Sequence, residues 1–151
     1  MNNALPQLLN SCESRSGADA PSPLVLFDGV CNLCSWSVQF LAPRDRGKVL
    51  WFAPMQSVRG QAVLAAWSIP RADWETFVLV EDGHAYFRSE AFFRTLRFMT
   101  YPWPLLRVGM ILPRRWTDWL YDRVARNRYA VFGKKSACMI PCRELAARFL
   151  R

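Results

Sequence analysis

"LVLFDGVCNLC", Leu24 to Cys34, is the stretch on which the fold turns. Its first four residues are apolar without a break, the pattern of a short strand buried on both faces. Asp28-Gly29 interrupts the run. From Cys31 a helix follows, with Leu33, Trp36, Val38, Phe40 and Leu41 supplying most of its apolar side, until Pro43 and the charged "RDRGK" end it. "VLWFAP" (Val49–Pro54) reads as a second strand. A strand, a helix and a strand in this order make a β-α-β unit, in which the strands run parallel and the crossover is right-handed.

The rest of the chain extends that unit. A second helix is expected over about Val58 to Trp67. "TFVLVEDGHAYFRS" reads as a hairpin, with Thr76–Val80 as one strand, Asp82-Gly83 as the turn and His84–Phe87 as the other strand. Ser89 is suited to cap a helix that carries Phe92, Phe93, Leu96 and Met99. The order β-α-β-α-β-β-α is that of the thioredoxin fold, an α/β class, and the cysteines play no part in reaching it. The remaining residues read as a helical C-terminal extension. It holds a short helix over Pro104–Leu112, one opened by Pro113 with Trp116, Trp119, Leu120 and Val124 on one face, and a last one over about Cys142–Leu150. Residues 1–23, rich in Ser, Asn, Ala and Pro, read as a disordered tail before one domain over 24–151.

Composition narrows the function. At 151 residues, 52% hydrophobic and 21% charged, the chain reads as a soluble globular domain. No stretch is long and apolar enough to suggest a membrane span. The N-terminus lacks the basic and apolar regions of a signal peptide, so the cytoplasm is the expected compartment. The net charge of +8 comes from arginines interleaved with core-type residues, not from a basic tract, and argues against nucleic acid as the partner. The tryptophans, Trp36 and Trp103 among them, are assigned to the core. Five cysteines, Cys12, Cys31, Cys34, Cys138 and Cys142, in a chain expected in a reducing compartment argue against a structural disulfide framework and point to catalysis, metal or packing.

Cys31 and Cys34 fall where the first strand meets the first helix. Free N–H groups and the helix dipole favour an anion there, so a thiolate is stabilised and reactive. Spacing of one helical turn brings the two sulfurs within bonding reach. Cys31, at the open end, is expected to be exposed and to attack; Cys34, one turn inside, is expected to resolve the mixed disulfide. Asp28, at the strand edge, is placed either to take the proton of Cys34 or to cap the turn, and both readings stand. The rival readings are ordinary packing and a zinc site drawn from Cys31, Cys34, Cys138, Cys142 and His84, which would make the chain a non-catalytic zinc- or partner-binding protein. The C-x-x-x-C spacing of the second pair and the strand-to-helix setting of the first count against zinc.

"FDGVCNLC", with Asp28, Cys31 and Cys34, resembles the signature of the DCC family of thiol-disulfide oxidoreductases, a mostly bacterial family named for that Asp-Cys-Cys pattern. "SEA" (Ser89–Ala91) and "YDRVARNRYAVFGKKSAC" (Tyr121–Cys138) resemble two further blocks of the family, so the likeness runs from Leu24 to the C-terminus. It implies a thioredoxin-like fold and a protein-disulfide reductase type of activity. Such chemistry needs no organic cofactor and no metal. Its partners are a protein or small-molecule disulfide and an electron donor that the sequence does not name. Two departures from thioredoxins matter. Asn32-Leu33 stands between the cysteines in place of Gly-Pro, and the position of the thioredoxin clamp proline falls near Glu75-Thr76, where Thr76 offers a hydroxyl instead. In the C-terminal block, Arg126, Arg128, Lys134 and Lys135 either fold back over the cysteines or form a solvated loop anchored by Tyr129 and Phe132. Cys138 is read as a buried small residue, with a third redox cysteine as its other reading.

Overall fold

Leu24–Phe27 forms β1, and all four residues are buried, as their unbroken apolar run requires. The computed structural model describes residues 20–70, 76–134, 136 and 146–150. The elements after β1 are α1 (Asn32–Arg44), β2 (Trp51–Pro54), α2 (Val58–Ala66), β3 (Val78–Glu81), β4 (His84–Phe87) and α3 (Arg88–Thr95). A 3-10 turn (Leu96–Phe98), a longer 3-10 stretch (Trp103–Ile111), α4 (Arg114–Phe132) and a further 3-10 turn (Ala146–Arg148) follow among the described residues. The strands form one sheet in the order β2-β1-β3-β4. β1 pairs parallel with β2, Leu24 opposite Trp51, and antiparallel with β3, Leu24 opposite Val80. This is the thioredoxin-like α/β arrangement expected from the element order.

The two-residue period of β1 divides the core in two. Val25 and Phe27 join Val38 and Leu41 of α1, Phe52, Leu79 and Leu96 on one face. Leu24 and Leu26 join Ala53, Val63 and Leu64 of α2, Val78 and Val80 on the other. Helices therefore cover both faces of the sheet. The hairpin closes on Asp82 and Gly83, with φ of 48° and 74°, the two left-handed positions of a tight turn that follows strand twist.

Several boundaries move for identifiable reasons. β2 begins at Trp51, not Val49, because the Leu50 N–H is taken by Asp45 Oδ2 at 2.8 Å. β3 begins at Val78 because the Phe77 N–H goes to the Tyr121 hydroxyl at 2.8 Å. Ser89 caps nothing: α3 begins at Arg88, and the buried Ser89 hydroxyl donates to Asp118 of α4. Trp36 is exposed and stacks on Phe40 at 5.4 Å, whereas Trp103 packs edge-on against the same ring, partly buried against the core. The expected helix over Pro104–Leu112 is the 3-10 stretch Trp103–Ile111. Of the expected last helix only its end is described. There Phe149 stacks on Phe52 at 5.7 Å, and Arg148 reaches Asp45 Oδ2 and the Ala42 carbonyl, each at 2.7 Å. This returns the chain to the edge of β2.

Contact between α2 and the end of β2 is so close that a Cβ on Gly60 would run into the Pro54 carbonyl oxygen and lie 3.1 Å from Met55 Cα. The backbone there has no flexible side chain to give way. Gly60→Ala is expected to cost about 1–3 kcal/mol of stability. Urea unfolding checks this, a lower midpoint at an unchanged m-value being the expected result.

Candidate active site

The N–H of Cys31 donates to the Asp28 carbonyl at 3.3 Å, closing the Asp28–Gly29–Val30 turn. Cys31 is the N-cap of α1, in extended conformation, and its carbonyl accepts the first helical bond, from Ser35 N–H at 3.0 Å. The sequence placed both cysteines at this helix start, and both thiols are free. Cys34 follows one turn on, near enough for its thiol to feel the charge of Cys31.

Their exposure is the reverse of the expectation. Cys31 is 0% exposed, while Cys34 is only partly buried. The cause lies at the far end of the chain. After α4, Gly133 and Lys134 run along the cysteine turn. Lys134 forms an isolated antiparallel bridge with Cys31, and the Gly133 carbonyl accepts the Asn32 N–H at 3.4 Å. The Asn32 side chain donates to the Phe132 carbonyl at 2.7 Å. Gly133 has a φ of +78°, and a Cβ there would sit 3.1 Å from Asn32 Nδ2, so both the bend and the close approach suit glycine.

Asp28 is 2% exposed, and four groups satisfy its carboxylate. Oδ1 accepts the Val30 N–H at 3.1 Å and the Gln56 amide at 2.8 Å. Oδ2 accepts the Tyr129 hydroxyl and lies 3.4 Å from Arg128 Nη2, whose guanidinium is itself 3% exposed. The same Nη2 donates to the Tyr129 hydroxyl at 3.0 Å. Gln56 uses its other end to accept the Gly29 N–H at 3.0 Å. Asp28 thus does hold the turn, and it also sits at the centre of a charged cluster beside the thiols.

That cluster sets the electrostatics. Burial first, then the negative charge of Cys31, pushes the Cys34 thiol up to about 12; Arg128 opposes the rise and Asp28 adds to it. Burial and its hydrogen bond to Asp28 push the Tyr129 phenol up to about 12. Tyr121 is raised to about 12, again chiefly by burial. Burial works against the charge of Arg128, but the Tyr129 hydroxyl and the neighbouring thiols hold its pKa above the ordinary value. At neutral pH, Cys34, Tyr129 and Tyr121 therefore keep their protons. A small pocket of about 200 Å³ opens beside the cluster, lined by Asp28, Val30, Gln56, Gln61, Tyr129 and Lys134 among others.

The remaining expected residues divide. Arg128 is brought to the cysteines, but Arg126, two residues earlier, is exposed on α4, since a helix cannot turn both inward. Thr76 is next to Phe77, and Phe77 is tied to Tyr121, whose phenol senses the charge of Cys34. Lys135, Cys138 and Cys142 lie outside the described residues, as does Cys12. His84 is exposed at the start of β4, near the sheet end marked by Leu24 and opposite the end that carries Asp28, so it does not join Cys31 and Cys34. Among the described residues no group of three or more His, Cys, Asp or Glu could hold a metal. Sequence reasoning missed Gln56 and the role of Tyr129. Tyr129 had a signal, its place beside Arg128 in the C-terminal block; Gln56 had none.

A model of the DCC1-like thiol-disulfide oxidoreductases matches residues 25–134, from β1 to the residue bridged to Cys31. The chain belongs to this family. It is 39% identical over 130 residues to YuxK, an uncharacterized protein of Bacillus subtilis, covering 86% of this chain and 95% of that one. It is 38% identical over 117 residues to a chloroplastic DCC family protein of Arabidopsis thaliana, covering 77% of this chain and 68% of the relative. No solved structure matches. Family membership gives the chain a general thiol-disulfide oxidoreductase role. No helix among the described residues is long and apolar enough to cross a membrane.

The raised Cys34 pKa has a measurable sign. Alkylation of Cys34 by iodoacetamide, read by peptide mass, is expected to be still climbing at pH 10 rather than levelling near 9. In Cys31→Ser the rise should shift to lower pH but only in part, because burial is the larger cause. A plateau below pH 9 in the unsubstituted protein would contradict this electrostatic picture.

Proposed function

We propose that the protein is a disulfide reductase in which Cys31 attacks and Cys34 resolves. The single observation that carries this reading is the pair of free thiols, Cys31 and Cys34, one turn apart at the start of α1 and next to a buried carboxylate. The dipole of α1 favours an anion at Cys31, its N-cap.

The cycle follows from the residues. Cys31 is buried under Gly133 and Lys134, so substrate must first displace these residues; the Cys31 thiolate then attacks one sulfur of a substrate disulfide, forming a mixed disulfide and releasing the other half as thiolate. Cys34 must then lose a proton before it can attack Cys31. In the mixed disulfide the Cys31 charge is gone, but burial still holds the Cys34 pKa above its ordinary value, so it needs an acceptor, and Asp28 is the carboxylate whose charge it feels. Loss of that proton lets Cys34 displace the second substrate thiolate and leaves a Cys31–Cys34 disulfide. The substrate gains two electrons, and a separate donor returns them to the protein. Arg128 steadies negative charge around the pair while Tyr129 orients the Asp28 oxygen it binds. Thr76 is assigned the substrate backbone, in place of a clamp proline. Arg126, exposed on α4, has no part in the two thiol steps. Neither has Cys138, so Cys138→Ser is expected to keep turnover. A reducing compartment, the cytoplasm, suits such a dithiol.

Glutathione redox titration with trapping of free thiols tests the reading. A reversible Cys31–Cys34 bond is expected, with a midpoint within the range of roughly −120 to −270 mV spanned by thioredoxin-like proteins. Cys34→Ser should accumulate the mixed disulfide and Cys31→Ser should form none. If no bond between the two forms at any poise, the reading fails. Asp28→Asn should slow the second step by about 100-fold or more while leaving the first nearly intact, so that the mixed disulfide accumulates in stopped-flow quench samples. Equal slowing of both steps would remove the proton role from Asp28.

A further inference from the structure

The outer side of α4 plays no part in the exchange site, and it is apolar. Tyr121 and Arg128 face the protein body, which leaves the stripe of Trp116, Trp119, Leu120 and Val124 turned to solvent. Trp116 is 72% exposed and Trp119 67%. The surface continues through Leu112 into the 3-10 stretch, where Ile111 is 82% exposed and Leu105 and Val108 are also out. Between Leu112, Trp116, Trp119 and Leu120 lies a groove of about 480 Å³, bordered by Arg115. An apolar surface of this extent, continuous over two elements, marks an interaction site.

The charges around it choose the partner. Arg107, Arg115, Arg123 and Arg126 are all exposed. Helical periodicity places Arg123 within the stripe and Arg115 and Arg126 along its edge beside Trp119. The two acids of α4 turn the other way: Asp118 accepts from Ser89, and Asp122 pairs with Arg88 at 3.5 Å. The face is therefore apolar and cationic together. Two copies placed face to face would bring these arginines against each other. A layer of anionic headgroups above acyl chains answers both features. Tryptophans favour the boundary between headgroup and hydrocarbon, and arginines can reach phosphate while their stems lie on apolar surface.

We propose that this face, the 3-10 stretch and the outer side of α4, docks the protein on an anionic phospholipid bilayer, lying on the surface and not spanning it. Sedimentation with vesicles of phosphatidylcholine alone, or mixed with phosphatidylglycerol, tests it. The protein should sediment with the mixed vesicles and stay in solution with the neutral ones. Its tryptophan emission should shift to the blue on binding. The double substitution W116S and W119S should weaken binding about tenfold or more. Arg115→Gln and Arg123→Gln should each weaken it about fivefold. Disulfide exchange in solution should be unchanged in all of these variants, since none of the residues touches the cysteines. Failure to sediment with anionic vesicles overturns the proposal. So does binding that responds to the arginine substitutions but not to the tryptophan ones, which reduces the effect to general attraction between charges. A concentration-dependent dimer by light scattering, dissolved by W116S and W119S, would assign the face to a second copy instead.

Discussion

A carboxylate removed from water has to be hydrogen-bonded on every side, and the fold is organised around doing this for Asp28. The residue closes β1, so its position is fixed by the most buried strand of the sheet. Its oxygens then recruit the turn before α1, Gln56 in the turn after β2, and the last turns of α4. Without α4, Asp28 Oδ2 would lose both of its partners, Tyr129 and Arg128. Without Asp28, the Arg128 guanidinium would be a charge sealed in the interior. Each partner is tolerable only in the presence of the other, which is the condition under which a buried ion pair specifies an arrangement rather than merely adding stability.

The same constraint positions the thiols. The turn that Asp28 holds with its own oxygen is the turn that ends at Cys31. Arg128 and Tyr129, brought in by the carboxylate, carry Gly133 and Lys134 with them, and these lie along Cys31. One buried acid thus accounts for the shape of the loop, the local field and the cover over the first sulfur.

Much of this was legible in the residues. "LVLF" announced a two-faced strand, "EDGH" a tight hairpin, and the order of elements the sheet. These signals are local, and a strand or turn is decided within a few residues of itself. The features that were not legible depended on partners far along the chain. Ser89 has the chemistry of a helix cap, but Asp118 competes for its hydroxyl from α4. Cys31 looks open at a helix start until residues a hundred positions later are laid beside it. Trp116 and Trp119 have the composition of a core. Only the three-dimensional position of Tyr121 and Arg128 reveals that the polar side of α4 is the one facing inward, an inversion of the usual amphipathic pattern that no periodicity count can detect. Arg128 and Arg126 are equivalent as letters in a basic block, and helix geometry separates them.

The hydrogen bonds that complete the cluster join residues 100 and 101 positions apart. A ribosome adds roughly 5–20 residues per second, so Asp28 and the two thiols exist for about 5–20 s before Arg128 and Tyr129 have been made. The nascent chain therefore carries an uncovered C-x-x-C turn and an unpaired acid at the end of a strand that is already committed to the interior. The thiols acquire their electrostatic surroundings only once α4 has been made, and a chain cut short before α4 would present a reactive dithiol with neither its cover nor its cationic neighbour.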